Sequence, residues 1–404
     1  MPPSARPILR NADARRLFLH RHALSEVPAG KPDATEIMAL IERLGFVQVD
    51  SINTVERAHH MILFARSPGY RPAQLRPLLE DSRELFEHWT HDASLIPTAF
   101  FPHWQLRFAR DRERLVEKWR NWRDDAYLAK FDEVLAQVAN HGPVTSSDVG
   151  EGEERGKGGW WEWHPSKTAL EYLWRTGALS VSRRDGFQKV YDLTERVHPE
   201  ICLHRPSPED SIDWACNAAM DRLGFATSGE VAAFFAAVRP DEAREWCRAA
   251  LAQGSLLEIE VEGADGALRR SFARPDVLEA AQAAPELPGR VRILSPFDPA
   301  LRDRNRTERL FGYFYRIEVF TPEPKRIYGY YTFPLLEGAR LIGRLDARAE
   351  RSSGTLQVRA VWPERGVQLS PARVARIEAE LERLRRFSGC DSVAYANDWL
   401  RAAV

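Results

Sequence analysis

Gln48 and Asp50 stand two residues apart in the stretch LGFVQVDSINTVERAHH, residues 44–60, among apolar neighbours. In a strand, alternate side chains share a face. The amide and the carboxylate then point the same way, about 7 Å apart at Cα, while Val47 and Val49 point into a core. A carboxylate can take a proton from water or stabilise a growing positive charge. An amide both donates and accepts hydrogen bonds, so the two together can hold one water. A structural reading competes: Asp50 begins a turn and Gln48 lies on a solvated edge, since polar residues alternate in many half-solvated strands.

Other residue groups carry weaker chemistry. His59 follows Val55 by four and precedes Ile62 and Leu63, so on a helix it leans toward the packed face. His60 lies four after Glu56, a side-chain pairing distance. His88, His91 and Asp92 in EHWTHDASLIP have metal-ligand types. They lack an evident further ligand, and packing or N-capping by Asp92 is the favoured reading. Arg302, Arg304, Arg306 and Arg309 fall within eight residues of SPFDPALRDRNRTERLFGY. Such a run can clamp phosphates, or form a solvated loop with Asp298, Asp303 and Glu308. GGWWEWHPSK concentrates three of the twelve tryptophans; they can stack on bases or fill a core. There is no G-x-S-x-G, Walker A or H-E-x-x-H motif.

These residues need a scaffold, and 404 residues at 44% apolar and 28% charged suffice for several domains with a sizeable core. The net charge of −1 advertises no global affinity for nucleic acid, so a DNA surface has to come from segregated charge. Arginine greatly outnumbers lysine, which suits phosphate contacts and also follows from GC-rich coding. Cys202, Cys216, Cys247 and Cys390 form no C-x-x-C pair, so reduced thiols in a cytoplasmic protein are expected. MPPSARPILRNADARR has no apolar signal core, and no run approaches about 18 apolar residues. Secretion and membrane spanning are not expected.

Asp33 and Glu36 form a capping-box pattern ahead of Ile37, Leu40, Ile41 and Leu44, with Gly45 as the stop. Asn53 and Glu56 suggest a second box opening a helix through TVERAHHMILFAR. FDEVLAQVANHGPVTSSDV reads as helix, turn and helix start. WHPSKTALEYLWRTGAL follows as a helix with Leu170, Leu173 and Trp174 buried and Gly177 at its end. LSVSRRDGFQKVYDL is then a hairpin turned at Asp185-Gly186. Helix followed by hairpin is the wing of a winged helix. Residues 155–191 hold seven Lys/Arg against three Asp/Glu, a local basic patch. SIDWACNAAMDRLGFATSGEVAAFF and LLEIEVEGADGALRRSF repeat the pattern with a turn at Asp265-Gly266. Glu258, Glu260 and Glu262 there share an acidic face that repels phosphate, so this second wing is expected to be structural. From about Arg290 five β runs follow: VRILS, LFGYFYRIEVF, RIYGYYTFPLL, ARLIGRLDARAE and GTLQVRAVW. They suggest a barrel or curved sheet. A helix capped by Ser370 closes the chain, with Val374, Ile377, Leu381 and Leu384 buried.

Several stretches together resemble the winged-helix crosslink-repair DNA glycosylases, the YcaQ- and AlkZ-like family. They are LGFVQVDSINTVERAHHMILFAR, FEHWTHDASLIP, GGWWEWHPSKTALEYLWRTGAL with RRDGFQKVYDL, SPFDP with RTERLFGYFYRIEVFTP, and RIYGYYTFPLL. The resemblance spans nearly the whole chain in the family's order. It implies an α+β fold of tandem winged helix-turn-helix units with a C-terminal β-barrel-like domain around a DNA channel. The divisions expected are 1–125, 126–200, 201–285 and 286–404. It implies a monofunctional glycosylase that removes bulky N7-alkylated purines and unhooks N7-linked interstrand crosslinks. The family's catalytic signature is Gln, an aliphatic residue, then Asp or Gln; here Gln48-Val49-Asp50, the broader-substrate Asp form. Asp50 would stabilise the oxocarbenium-like sugar and accept a proton from water that Gln48 positions. An N7-alkylguanine already bears positive charge and leaves neutral, so neither general acid, metal nor cofactor is implied.

The expected partner is double-stranded DNA with alkylated purines or crosslinks, bound by a monomer in the cytoplasm at the nucleoid. Candidate DNA contacts are Arg57, His59 and His60, then Lys167 on the helix before the wing, with Arg175 eight residues on. Arg183, Arg184 and Lys189 follow on the wing, and Arg304 and Arg306 in the arginine run. Two alternatives stay open. A winged-helix transcriptional regulator without catalysis explains the hairpins and basic patch but not the Gln48/Asp50 pair. A metal hydrolase built on His88, His91 and Asp92 would be sensitive to chelators.

Overall fold

The capping box expected at Asp33 and Glu36 forms. Asp33 Oδ1 accepts the Glu36 N–H at 2.8 Å, and Glu36 Oε2 accepts the Asp33 N–H at 2.9 Å. It opens the helix Ala34–Leu44, which buries Ile37, Met38, Ile41 and Leu44 and ends at Gly45. The structure is a computed structural model and describes residues 6–27, 30–120, 128, 130–150, 153 and 164–404, with the side chains of 118–120 and 202 left aside. The tryptophans of GGWWEWHPSK, with Arg155 and Lys157, lie outside the described residues. The chain is a mixed α+β protein. It divides into one unit of Met1–Gln74, Ala218–Val231 and Ala243–Val404, and a second of Leu75–Asn217 and Ala232–Glu242.

Two sheets organise the first unit. In one, the strand Ile8–Leu9 runs parallel to Leu257–Glu262, which pairs antiparallel with Leu268–Ala273 and then Phe225–Ala226. The hairpin loop, residues 263–267, contains the expected Asp265-Gly266 turn. Its acidic face is structural, as anticipated: Glu258 pairs with Arg6 at 2.9 Å, and Glu262 Oε2 accepts the Asn11 N–H at 3.0 Å. The acidic strand thus fastens the beginning of the chain.

The second sheet has the order Val291–Ile293, Thr332–Glu337, Arg340–Glu350, Thr355–Pro363 and Ser392–Tyr395. Register shifts at Leu335/Leu336 and Asp346/Ala347 add twist, and the sheet curls into a half-barrel. One expected strand is absent. In LFGYFYRIEVF, the helix Arg304–Phe311 is capped by Asp303, whose Oδ1 accepts the Arg306 N–H at 2.9 Å. It ends at Gly312, whose φ of +65° a residue with a Cβ adopts only with strain. Beyond it the backbone joins no ladder up to Thr332. Tyr313 and Tyr315 are nonetheless buried, their hydroxyls donating to Gly343 O at 3.1 Å and Thr332 O at 2.6 Å. Two-residue alternation therefore imitates a strand here. The fifth strand is Ser392–Tyr395, parallel to Thr355–Pro363. It follows the helix Pro371–Phe387, where Ser370 caps the Arg373 N–H and Ile377, Leu381 and Leu384 are fully buried, while Val374 is only partly so.

In the second unit the strands Leu85–Trp89 and Ala93–Pro97 form a hairpin, and the long helix Phe101–Arg120 follows. The helix Phe131–His141, the short strand Val144–Thr145 and the helix Pro165–Arg175 precede the hairpin Leu179–Asp185/Gln188–Leu193. Leu170, Leu173 and Trp174 are buried as expected, with Val134, Val138 and Val181 in the same core. Gly177 ends the helix at φ +80°, and a Cβ there would lie 2.4 Å from the Phe108 ring. The hairpin turns one residue later than expected. Asp185 pairs with Gln188, leaving Gly186 and Phe187 at the tip.

Candidate active site and nucleic-acid contacts

The strand at the candidate site is short, Val47–Gln48. Val47 and Val49 are buried as the alternation predicts, but Gln48 is buried too, at 2% exposure, rather than on a solvated edge. Asp50 is half-buried, and its Oδ1 accepts the Ile52 N–H at 2.7 Å. The carboxylate therefore holds its own turn, as the structural reading expects.

The helix expected from Asn53 starts later, at Ala58. Residues 53–56 are held by the sheet instead: Thr54 O accepts the Ala349 N–H at 2.8 Å, and Arg351 donates to Val55 O at 2.9 Å and Asn53 Oδ1 at 3.2 Å. Those bonds pin the backbone leaving Asp50.

Tyr331, not foreseen as a site residue, lies close to Asp50. It is 1% exposed. Burial pushes its phenol well above the ordinary value, and the Asp50 charge adds to the rise. Its ring packs with Phe297 and Phe333 at 6.1 and 5.2 Å between centroids. Arg304 donates to Leu301 O at 3.1 Å and Pro296 O at 2.6 Å and lies 4.6 Å from the Tyr315 ring centre. Arg302 lies over Phe46 at 5.6 Å, and burial brings its guanidinium down to about 10. The Pro296–Asp298 turn is braced from below: Arg66 grips buried Asp298 bidentately at 2.6 and 2.8 Å. In residues 312–331, Phe314, Phe320, Ile327 and Tyr330 are exposed, with Arg316 over Phe314 at 4.5 Å and Arg326 over Tyr330 at 5.1 Å.

The histidines and arginines near the pair divide between roles. His59 is buried, and its ring lies 4.1 Å from that of His60. His60 Nδ1 is 2.8 Å from the Tyr70 hydroxyl, so its partner is Tyr70 rather than Glu56. Burial, then Arg57, lowers His60 to about 3, so it is neutral at working pH. Arg57 is half-buried at the N-cap of Ala58–Arg66. Arg306 differs from the expectation of a phosphate contact. It is 2% exposed, donates to Leu223 O and Phe225 O at 3.0 and 2.9 Å, and faces Glu230 at 3.5 Å. Its charge is engaged inside the protein.

The hairpin of the second unit, expected as a basic wing, differs in the same way. Glu87 is buried on the strand Leu85–Trp89, and a buried carboxylate requires counter-charge. Arg184 supplies it bidentately at 2.6 and 2.7 Å, with Lys189 at 3.9 Å. Lys189 also lies 3.2 Å from the centre of the Trp174 ring, and burial lowers its pKa. Arg183 remains at the surface, paired with Asp185 of its own strand at 3.1 Å. Lys167 sits half-buried in the first turn of its helix. Arg175 does not share a solvated face with it: it bonds buried Asp111 at 2.9 Å and stacks over Trp89 at 4.4 Å.

His88 is buried with Nε2 donating to Trp174 O at 3.0 Å, and Asp92 Oδ1 accepts the Ala93 N–H at 2.8 Å. Burial, then Arg107, keeps His88 well below its ordinary pKa. Among the described residues no group of three or more His, Cys, Asp or Glu side chains is arranged to hold a metal. Cys216, Cys247 and Cys390 are buried free thiols.

A family model for DNA glycosylase AlkZ-like proteins matches residues 41–387, from before Gln48 to the end of the closing helix. The chain belongs to the AlkZ-like DNA glycosylase family. The Streptomyces sahachiroi DNA glycosylase AlkZ, a solved structure, matches with a TM-score of 0.64 at 16% identity, over 97% of this chain and 98% of that one. At that identity the likeness establishes the fold. The AlkZ-like protein is thus a DNA glycosylase, a hydrolase of DNA repair acting on N-glycosyl bonds. Among its described residues no helix is long and apolar enough to cross a membrane.

Proposed function

We propose that this glycosylase hydrolyses the N-glycosidic bond of bulky N7-alkylated purines and unhooks N7-linked interstrand crosslinks, with Asp50 and Gln48 as its catalytic pair. The observation that carries the reading is a buried glutamine two residues before a half-buried carboxylate whose turn is anchored to the sheet. As the C1′–N9 bond breaks, positive charge grows on the sugar. Asp50 stabilises that charge and takes a proton from the attacking water, while Gln48 positions the water. Holding the water from two sides reduces its entropic cost. The cationic base leaves neutral without an acid. A crosslinked base is tethered to the opposite strand, so the site works with little or no base flipping, unlike many glycosylases.

Double-stranded DNA is bound by tandem winged-helix units, 1–125, 126–200 and 201–285, and by the barrel-like region 286–404, as a monomer acting at the nucleoid in the cytoplasm. Arg183, Lys167, Arg57, Arg304, His59 and His60 remain the candidate DNA contacts. The exposed Phe314 and Tyr330, each with an arginine over its ring, suit bases and phosphates. A regulator without catalysis is disfavoured by membership of a glycosylase family.

The test is incubation with duplexes carrying N7-methylguanine or a nitrogen-mustard crosslink, followed by alkaline cleavage at abasic sites. Cleavage at the lesion is expected with wild type. Asp50→Ala is expected to lose at least about a hundredfold in rate while retaining DNA affinity. Equal losses of binding and turnover would remove Asp50 from the chemistry.

A further inference from the structure

Tyr331 is 1% exposed, yet its hydroxyl has no hydrogen-bond partner. Ser295 lies beside it, but the Ser295 hydroxyl oxygen already accepts the Phe297 N–H at 3.2 Å. A buried donor left unused is costly and calls for an explanation. The ring is held in place. It packs on Phe297 and Phe333, and the next residue, Thr332, is fixed in the sheet opposite Asp346 while its carbonyl accepts the Tyr315 hydroxyl. The Asp50 carboxylate is close enough for its charge to oppose ionisation of the phenol. Asp50 Oδ1 already accepts the Ile52 N–H. A phenol kept protonated is a donor throughout the working pH range.

We propose that Tyr331 is a positioning residue for the glycosylase reaction, its hydroxyl donating to the Asp50 carboxylate in the substrate complex and fixing that anion's orientation toward the sugar. The inference rests on Asp50 being catalytic. A further donor also holds Asp50 ionised, because hydrogen bonds to a carboxylate favour its charged form.

Tyr331→Phe removes only the hydroxyl. Single-turnover excision of N7-methylguanine by this variant is expected to fall about tenfold or more. Its affinity for the same duplex should stay within about twofold, since the hydroxyl lies below the surface. The acid limb of its pH–rate profile is expected to move up by about one unit, because Asp50 loses a donor and protonates more readily. Its thermal midpoint should hold or rise. A wild-type rate and acid limb would overturn the proposal. So would a slower rate with an unmoved acid limb and a lowered midpoint, which marks a packing role. Asp50→Asn is measured alongside. If it excises at the wild-type rate, the catalytic reading itself falls. If it is inactive while Tyr331→Phe behaves as wild type, the Tyr331 inference falls alone.

Discussion

In the proposed mechanism Asp50 both carries charge and orders water, and its variants separate the two. Asp50→Gln keeps a polar group near the water but loses the charge, so its excision rate is expected between wild type and Asp50→Ala in single-turnover assays. If it were no faster than Asp50→Ala, water geometry would contribute nothing measurable. Gln48 and Asp50 stood out as candidates because a two-residue spacing of amide and carboxylate in an apolar run is a local pattern, but the spacing alone fitted a turn as well, and it was the family resemblance that gave them their proposed role. Tyr331 did not stand out. It stands 281 residues beyond Asp50, and a tyrosine among several in RIYGYYTF carries no mark of the carboxylate it faces. The arginine run was visible, but the division of labour within it was not. Arg304 and Arg306 are two apart on one helix, and burial against the Leu223 and Phe225 carbonyls sets Arg306 apart.

Among the elements, the hairpin Leu179–Asp185/Gln188–Leu193 shows how buried charge redirects a basic patch. Arg183, Arg184 and Lys189 read alike in sequence, but only Arg183 stays at the surface, since Arg184 and Lys189 neutralise Glu87. Arg183→Ala is therefore expected to reduce the salt slope of DNA binding by about one, with little change in thermal midpoint. Arg184→Ala should lower the midpoint sharply, because removing one partner of a buried pair costs about 3–5 kcal/mol. Parallel salt titrations and melting curves distinguish the two; identical behaviour would contradict the assignment. Helices and hairpins were readable where caps and turn residues marked them, at Asp33, Gly177 and Ser370. The misread segments lacked such marks or, at Asn53, carried one that tertiary contacts override. Tyr313 and Tyr315 alternate inward without a ladder, Asn53 is captured by Arg351 before it can cap a helix, and Ser392–Tyr395 pairs with a strand far behind it.

Across the whole molecule, neutral buried histidines link stability to acid. Burial lowers His22 and His60 to about 3 and His198 to about 4, with His88 also well below normal. The unfolded chain protonates these groups near the ordinary 6.5, but the folded one does not. Folding therefore binds fewer protons, and stability falls as pH drops from 6.5 toward 3–4, by about 1.4 kcal/mol per pH unit for each histidine. Glu230 acts in the same direction lower down. Burial pushes its pKa up, but Arg306 and its other partners outweigh that and bring it to about 2, so its contribution is lost as pH falls from about 4.5 toward 2. His22 and His60 lie in one unit, His88 and His198 in the other. Denaturant midpoints of both units are expected to fall between pH 7 and pH 5, and flat midpoints would show that these rings can charge in place.

The pairing of Ile8–Leu9 with Leu257–Glu262 has a consequence for biosynthesis. On a ribosome, Ile8–Leu9 waits for a partner about 250 residues behind it, whereas Leu75–Asn217 emerges as one continuous run. The middle of the polypeptide can thus mature during translation, while the portion bearing Asp50 completes its sheets only after Ser392–Tyr395 has cleared the exit tunnel.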